Sequence, residues 1–116
     1  MDYKSKYKVE SRLQESRNIR EKFPGRVPVI IQKATRTTND IPIIDKNKFL
    51  VPLDLSVGQF IYVIRKRLSL PPEKAIFIFV NNSLPSTSMS LRELYNIYAD
   101  EDGFLYMEYC GEATFG

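Results

Sequence analysis

The stretch SVGQFIYVIRKRL at residues 56–68 decides the fold, because it is the most regular segment of the sequence. Ser56 and Gln59 have the spacing of a capping box, in which each side chain bonds the backbone of the other residue. The apolar side chains recur at helical spacing and are Val57, Phe60, Ile61, Ile64 and Leu68. Basic residues fill the last turns, where the helix dipole favours them. The pattern predicts an amphipathic helix that ends before the proline pair at 71–72.

Strand-like runs lie on both sides of this helix. Residues 27–31 and 49–52 precede it, residues 76–80 and 104–110 follow it, and all are rich in β-branched or aromatic side chains. Pro52 lacks an N–H group, which favours a sheet edge or a strand end for the second run. The first two runs and the polar turn between them predict a hairpin. A second capping box, at Ser90 and Glu93, predicts a helix that presents Leu91, Leu94, Tyr95 and Tyr98 on one face.

The order of elements is therefore β, β, α, β, α, β, preceded by a polar leader. This order predicts an α+β protein with a ubiquitin-like β-grasp fold, a four-stranded mixed sheet with two helices. The leader, residues 1–25, is expected to form a helical extension packed on the core, with a helix over 3–22 and a thin apolar stripe of Val9, Leu13 and Ile19. Residues 26–110 then form the domain and residues 111–116 a flexible tail.

Composition narrows the chemistry that this chain can perform. The 116 residues include one cysteine and no histidine. Serine–histidine triads, cysteine–histidine dyads and the common zinc sites are therefore excluded, and we expect no enzyme, no metal and no cofactor. Cys110 is expected to pack in its strand, because no base is available to activate it.

Charge is concentrated at the start of the chain. Residues 1–36 hold ten Lys or Arg against four Asp or Glu, whereas residues 76–116 hold Arg92 against six acids. A solvated helix face explains the basic segment, and an anionic lipid or an acidic peptide are the alternatives. The aromatic and basic pattern of an RNA-binding module is missing, so we expect no nucleic-acid partner.

The sequence ends GEATFG, with Gly116 as its last residue. A terminal glycine carboxylate has no Cβ beside it and can enter a narrow enzyme channel. Ubiquitin-like modifiers use such a glycine, although a chain can also end on glycine by chance.

Several segments together resemble the autophagy ubiquitin-like modifiers of the GABARAP type. They are RVPVI at 26–30, DKNKFLVP at 45–52, DLSVGQF at 54–60, IRKR at 64–67, PPEKA at 71–75, IFVNN at 78–82, DGFLY at 102–106 and TFG at 114–116. The resemblance is collinear and extends from about residue 9 to the end. Lys8 stands where the family often has proline.

The resemblance implies a lipid-conjugated function. A cysteine protease would cut after a glycine that matches Gly116, and activating and conjugating enzymes would join that glycine to phosphatidylethanolamine. The sequence, which ends at this glycine, reads as already trimmed. The lipidated protein would sit on autophagosomes and related vesicle or vacuole membranes, the free protein in the cytoplasm. It would recruit cargo receptors that carry an aromatic-x-x-aliphatic motif.

The residues suggest how such a motif binds. An extended peptide can add a strand to an exposed sheet edge, here residues 49–52. By resemblance, the aromatic pocket is lined by Glu15, Ile19, Pro28, Ile30, Lys48, Leu50 and Phe104. The aliphatic pocket is lined by Phe49, Val51, Pro52, Leu55, Phe60, Val63 and Ile64. Spacing alone instead favours core packing for Val51, Leu55, Phe60 and Ile64.

Two further surfaces are expected. By resemblance, Arg26, Lys46 and Arg67 meet acidic residues beside the motif, although solvated surface is the alternative. Phe77 and Phe79 share one face of their strand, opposite the core-facing Ile76, Ile78 and Val80. They are expected to form an exposed contact for the delipidating protease, unless a helix covers them.

Two other functions stay open. A non-conjugated trafficking or microtubule-associated adaptor would use the same groove, and the basic leader suits it. A modifier joined to protein lysines is the other alternative, and the family segments argue against it.

Overall fold

The computed structural model describes residues 2–35 and 41–111. The helices are α1 (Asp2–Lys6), α2 (Val9–Lys22), α3 (Val57–Leu68) and α4 (Leu91–Tyr98). The strands are β1 (Arg26–Lys33), β2 (Lys48–Pro52), β3 (Phe77–Phe79) and β4 (Leu105–Cys110). The predicted element order is confirmed from β1 to β4.

The strands form one mixed sheet in the order β2-β1-β4-β3. β1 and β2 are antiparallel, as the predicted hairpin requires, with Val27 opposite Val51. β1 runs parallel to β4, and β3 is antiparallel to β4. The two longest strands are thus central, and β2 lies at one edge.

One face of the sheet, the core face, is covered by α3 and α4. Both capping boxes form as predicted, with Ser56 accepting from the Gln59 N–H and Ser90 from the Glu93 N–H. The buried side chains of this core include Val29, Ile31, Phe60, Ile64, Leu91, Leu94, Leu105 and Met107. The helical periodicity therefore predicted the core correctly, except that Ile61 is only half-buried.

The opposite face, the leader face, is covered by α1 and α2. The prediction of one helix over 3–22 is wrong, because the leader forms two helices interrupted at Tyr7 and Lys8. Lys8 has extended backbone angles, φ −66° and ψ 153°. The break turns α1 toward the sheet, where Tyr3 is buried against Ile30 and Phe104.

Strand β3 is shorter than predicted. Val80 leaves the ladder and forms an isolated bridge to Ser83. The intervening Asn81 and Asn82 have φ values of 51° and 65°, the left-handed conformation that asparagine tolerates in tight turns. The turn ends the strand at Phe79, one residue after Ile78.

Candidate functional site

Strand β2 presents backbone groups at the outer edge of the sheet. The Ile31 N–H donates to the Asn47 carbonyl at 2.8 Å, which fixes the direction of hydrogen bonding along the hairpin. Along a strand, the backbone N–H and C=O groups of successive residues point to alternate sides. Those of Phe49 and Val51 therefore face β1, whereas those of Lys48 and Leu50 point outward, away from the sheet. An added strand would bond to these two residues.

Arg26 lies across this edge. Its Nη1 donates to the Leu50 carbonyl at 3.1 Å. The guanidinium thus bonds to the carbonyl oxygen that an added strand would use as an acceptor. Arg26 is exposed, so its side chain has room to move away from this oxygen. Arg26 therefore belongs to the strand edge itself and not only to its flank.

The residues assigned to the aromatic pocket come together between α2 and β2. Pro28, Ile30 and Phe104 are buried and form the floor. In the hairpin register, Pro28 faces Leu50 and Ile30 faces Lys48. The rim is half-buried and consists of Glu15, Ile19, Lys48 and Leu50.

An ion pair spans the mouth of this pocket. Lys48 Nζ on β2 donates to Glu15 Oε2 on α2, and both side chains are partly exposed. Partial burial raises the pKa of Glu15, but the hydrogen bonds from Lys48 and Tyr3 outweigh it, so the pKa lies below its ordinary value. The carboxylate therefore stays charged and keeps the lysine over the pocket.

Tyr3 is the residue that the sequence analysis missed here. Its hydroxyl donates to Glu15 Oε1 at 2.6 Å, and its ring centroid lies 5.5 Å from that of Phe104. Lys48 Nζ lies 5.4 Å from the Tyr3 ring centroid. Burial, together with the bonded carboxylate, raises the pKa of Tyr3. An aromatic residue in a polar leader was the available signal, whereas the predicted apolar stripe of the leader held only Val9, Leu13 and Ile19.

A second missed group holds α2 in place. Asp102 is fully buried and accepts from Arg12 Nη1 at 2.7 Å, from the Phe104 N–H at 2.9 Å and from the Tyr106 hydroxyl. The Ser16 hydroxyl donates to the Asp102 carbonyl. These bonds fix one wall of the aromatic pocket relative to β4.

The residues assigned to the aliphatic pocket divide into two groups. Phe49 and Leu55 are half-buried, and Pro52 and Val63 are exposed, so these four line the surface between β2 and α3. The other three are core residues with exposed fractions of 3% or less, namely Val51, Phe60 and Ile64. The Phe49 and Phe60 rings meet edge to face, with centroids 5.8 Å apart. The core role favoured by spacing is thus correct for these three, and they support the pocket from below.

The remaining basic residues lie near the start of β2. Lys46 Nζ lies 5.1 Å from the Phe49 ring centroid. Arg67 Nε donates to Asp45 Oδ1 at 2.9 Å, and this hydrogen bond lowers the pKa of Asp45. Arg67 is therefore partly neutralised, whereas Lys46 presents its charge beside the edge strand.

The two phenylalanines of β3, which were expected to be exposed, lie on the predicted face but are less exposed than expected. Phe77 and Phe79 face away from the core, as predicted, but Phe79 is 3% exposed. It packs with Ala34 and Cys110, and Phe77 contacts this cluster. The expectation of exposure is thus wrong for Phe79, because Cys110 on the neighbouring strand β4 and Ala34, just after β1, pack against it. Cys110 is buried, as expected.

Three further features are the C-terminal tail, possible metal sites and possible membrane-spanning helices. Gly116 and the rest of the tail from 112 lie outside the described residues. Within residues 2–35 and 41–111, acidic and cysteine side chains form no group of three that could hold a metal ion. None of the helices described there has the length and apolar character needed to cross a bilayer.

Comparison with known proteins agrees with this geometry. Residues 11–116 match the family model described as autophagy protein Atg8, ubiquitin like. The chain is 58% identical to autophagy-related protein 8 of Candida glabrata over 114 residues, covering 98% of this chain and 95% of the relative. The crystal structure of Trypanosoma brucei ATG8 superposes with a TM-score of 0.91 at 46% identity, covering 100% of this chain and 98% of the other.

A second solved structure is similar. It is Plasmodium falciparum Atg8 in complex with a peptide of Plasmodium falciparum Atg3, with a TM-score of 0.88, 40% identity, and coverage of 97% of this chain and 98% of that one. The β-grasp fold and the family resemblance predicted from the sequence are confirmed. The chain belongs to the Atg8 family of ubiquitin-like autophagy proteins.

Proposed function

We propose that this protein is a lipid-conjugated modifier that recruits partners to autophagosomal membranes. Its Gly116 carboxylate is activated with ATP, carried as an enzyme thioester and joined as an amide to the amino group of phosphatidylethanolamine, with release of the enzyme thiol. The protein contributes the acyl group and the binding groove, not a catalytic site. The acyl chains of the lipid hold it on autophagosomes and related vesicle or vacuole membranes, and before conjugation it is cytoplasmic.

One observation carries the recruitment function. The outward-facing edge of β2 lies between two groups of side chains, those of the aromatic pocket (the aromatic cluster) and those of the aliphatic pocket (the aliphatic cluster). Lys48 and Leu50 offer backbone groups, and the aromatic and aliphatic clusters lie on either side of them. Two residues three apart in an extended peptide point to opposite sides, so an aromatic-x-x-aliphatic motif reaches both clusters. Cargo receptors with this motif are the proposed partners.

The conjugation partners follow from family membership. The Plasmodium falciparum relative was solved with a peptide of Atg3. By analogy, this chain engages conjugating and activating enzymes, and a cysteine protease removes the lipid. Phe77, which is half-buried, is the accessible part of the surface that we assign to the protease.

The groove is tested with the double variant Phe49→Ala and Leu50→Ala. Both pockets lose a wall, so a synthetic peptide with the motif should bind about tenfold or more weakly by calorimetry. Leu84→Ala is the matched control, because Leu84 is 50% exposed and far from β2 in the chain. Equal binding to the double variant and the control would move the site elsewhere.

Conjugation is tested by intact mass after incubation with activating and conjugating enzymes, ATP and vesicles that contain phosphatidylethanolamine. The unaltered chain should gain the mass of one phospholipid, and Gly116→Ala should not. Gly25→Ala is the control, since a Cβ at Gly25 meets nothing within 4 Å. Failure of the unaltered chain to react, with peptide binding intact, would favour the non-conjugated adaptor.

A further inference from the structure

A cavity of about 420 Å³ lies just beyond the start of β2. It is bounded by α1, by the last residues of β1 and by the loop that leads into β2. Its lining includes Tyr3, Lys6, Lys33, Ile43 and Asn47. Tyr3 lies between this cavity and the aromatic pocket and contacts both, so the cavity adjoins that pocket.

Its most unusual feature is Ile43, which is 80% exposed. The neighbouring residues are fixed, because the buried Tyr109 hydroxyl donates to the Pro42 carbonyl at 2.8 Å and accepts from the Ile44 N–H at 2.8 Å. Ile43 is thus presented to solvent from a loop anchored on both sides. A large apolar side chain held in this way is a preformed contact for a partner.

The charged residues around the cavity indicate the chemistry of a partner that would fit it. Its described lining includes two lysines, Lys6 and Lys33, and no carboxylate. Lys46 follows along the chain toward the groove, whereas Lys48 is already paired with Glu15. A ligand that combines an apolar side chain with acidic neighbours therefore matches this surface.

The cavity is also continuous with the proposed groove. The aromatic cluster lies near the start of β2, at Lys48 and Leu50, and the aliphatic cluster near its end, at Pro52 and Leu55. A motif with its aromatic residue first must therefore run parallel to β2, and its preceding residues pass Asn47. Four extended residues span ~13 Å, and the fourth returns to the same side of the strand, so a residue four before the aromatic one lies beyond Asn47, which lines the cavity.

We propose that this cavity is a third subsite for the same partner peptide. It receives an apolar side chain four residues before the aromatic residue of the motif, against Ile43, while acidic residues between them face the lysines. This proposal rests on the proposed peptide-binding function. It narrows the partner class to peptides of the form apolar-x-x-x-aromatic-x-x-aliphatic with an acidic spacer.

The experiment compares three synthetic peptides by calorimetry. The short peptide carries the motif and its acidic spacer, the extended peptide adds leucine at the fourth position before the aromatic residue, and a third has serine there. The extended peptide should bind about five- to tenfold more tightly than the other two, because burial of one apolar side chain supplies that difference. In the variant Ile43→Asp this gain should vanish while binding of the short peptide changes less than about twofold. Ile97→Asp is the control, because Ile97 is 60% exposed on α4 and should leave the gain intact.

Several outcomes would overturn the proposal. Equal affinity of the leucine and serine peptides, with the short peptide binding normally, refutes the subsite and leaves the groove in place. Failure of the short peptide to bind refutes the groove instead. Loss of binding to anionic phosphatidylserine vesicles in Ile43→Asp, without any effect on the peptides, would assign the cavity to a membrane surface.

Discussion

The two faces of the sheet are covered by different chemistry. On the core face, α3 and α4 bury aliphatic and aromatic side chains such as Phe60 and Leu94. On the leader face, α1 and α2 are joined to the sheet largely through polar groups. Arg12 and Ser16 of α2 bond to Asp102, just before β4, and Glu15 of α2 pairs with Lys48 of β2.

This difference explains why the aromatic pocket, between α2 and β2, stays open. Apolar burial is non-directional, and neighbouring side chains close any gap. A hydrogen-bonded ion pair instead fixes the distance between its partners and adds modest net stability. Asp102 therefore holds α2 at a set position, and the space between α2 and the β2 edge stays open to a partner.

The largest effect is expected on the core face, at Phe60. Its side chain is 1% exposed, so Phe60→Ala should lower the free energy of unfolding by about 4 kcal/mol, because it leaves a cavity in the core. Urea denaturation measures this. Tyr62→Ala, on the same helix but 60% exposed, should cost less than about 1 kcal/mol. Similar losses in the two variants would show that Phe60 is not a core residue.

On the leader face, Asp102→Ala should cost about 3 kcal/mol, because it leaves Arg12 and the Tyr106 hydroxyl without their acceptor in a buried site. Hydrogen exchange should increase in α2 while α3 keeps its protection, since the lost bonds lie on one face only. The neighbouring Glu101 is exposed, and Glu101→Ala should change neither measurement. A uniform increase in exchange across both faces would argue against separate covering of the sheet.

The same contrast decides what the sequence can predict. Helix α3 was predicted with its cap and its buried positions, because apolar periodicity and the Ser56–Gln59 spacing are local signals. The interrupted leader was not predicted. Its bend depends on Tyr3 meeting Ile30 and Phe104, residues distant in the chain, and no local pattern encodes that contact.

The candidate site shows the same limit. The edge position of β2 followed from Pro52, and the pocket residues followed from family resemblance. The ion pair between Glu15 and Lys48 joins residues 33 positions apart, and periodicity carries no information about it. Phe79 was placed on the correct face by strand alternation, but its burial depends on Cys110 of β4 and on Ala34, which lies just after β1.

A smaller effect is expected where α2 meets the turn before β4. Gly103 has φ 89°, and a Cβ there would collide with the Ser16 side chain. Gly103→Ala should therefore cost about 2 kcal/mol, from backbone strain and from displacement of α2. Gly25→Ala is the matched control, because a Cβ at that position meets nothing within 4 Å. Thermal denaturation compares the two, and an equal melting temperature would contradict the close approach of α2.

The smallest effect concerns the ion pair at the mouth of the aromatic pocket. The folded pKa of Glu15 lies below its ordinary value of 4.5, so the pair stabilises the fold above that pH and is lost as pH falls through the folded pKa. The side chain of Glu15 is 40% exposed and that of Lys48 is 33% exposed. Solvent screening therefore limits the contribution to less than about 1 kcal/mol. Glu15→Gln should be less stable than the unaltered chain at about pH 7, and the difference should shrink as the pH falls below 4.5 and through the folded pKa of Glu15. Glu21→Gln, an exposed position on the same helix, should show no such convergence. A difference between Glu15→Gln and the unaltered chain that persists at low pH would mean that Glu15 acts through packing rather than charge, and the leader face would then resemble the core face more closely than its hydrogen bonds indicate.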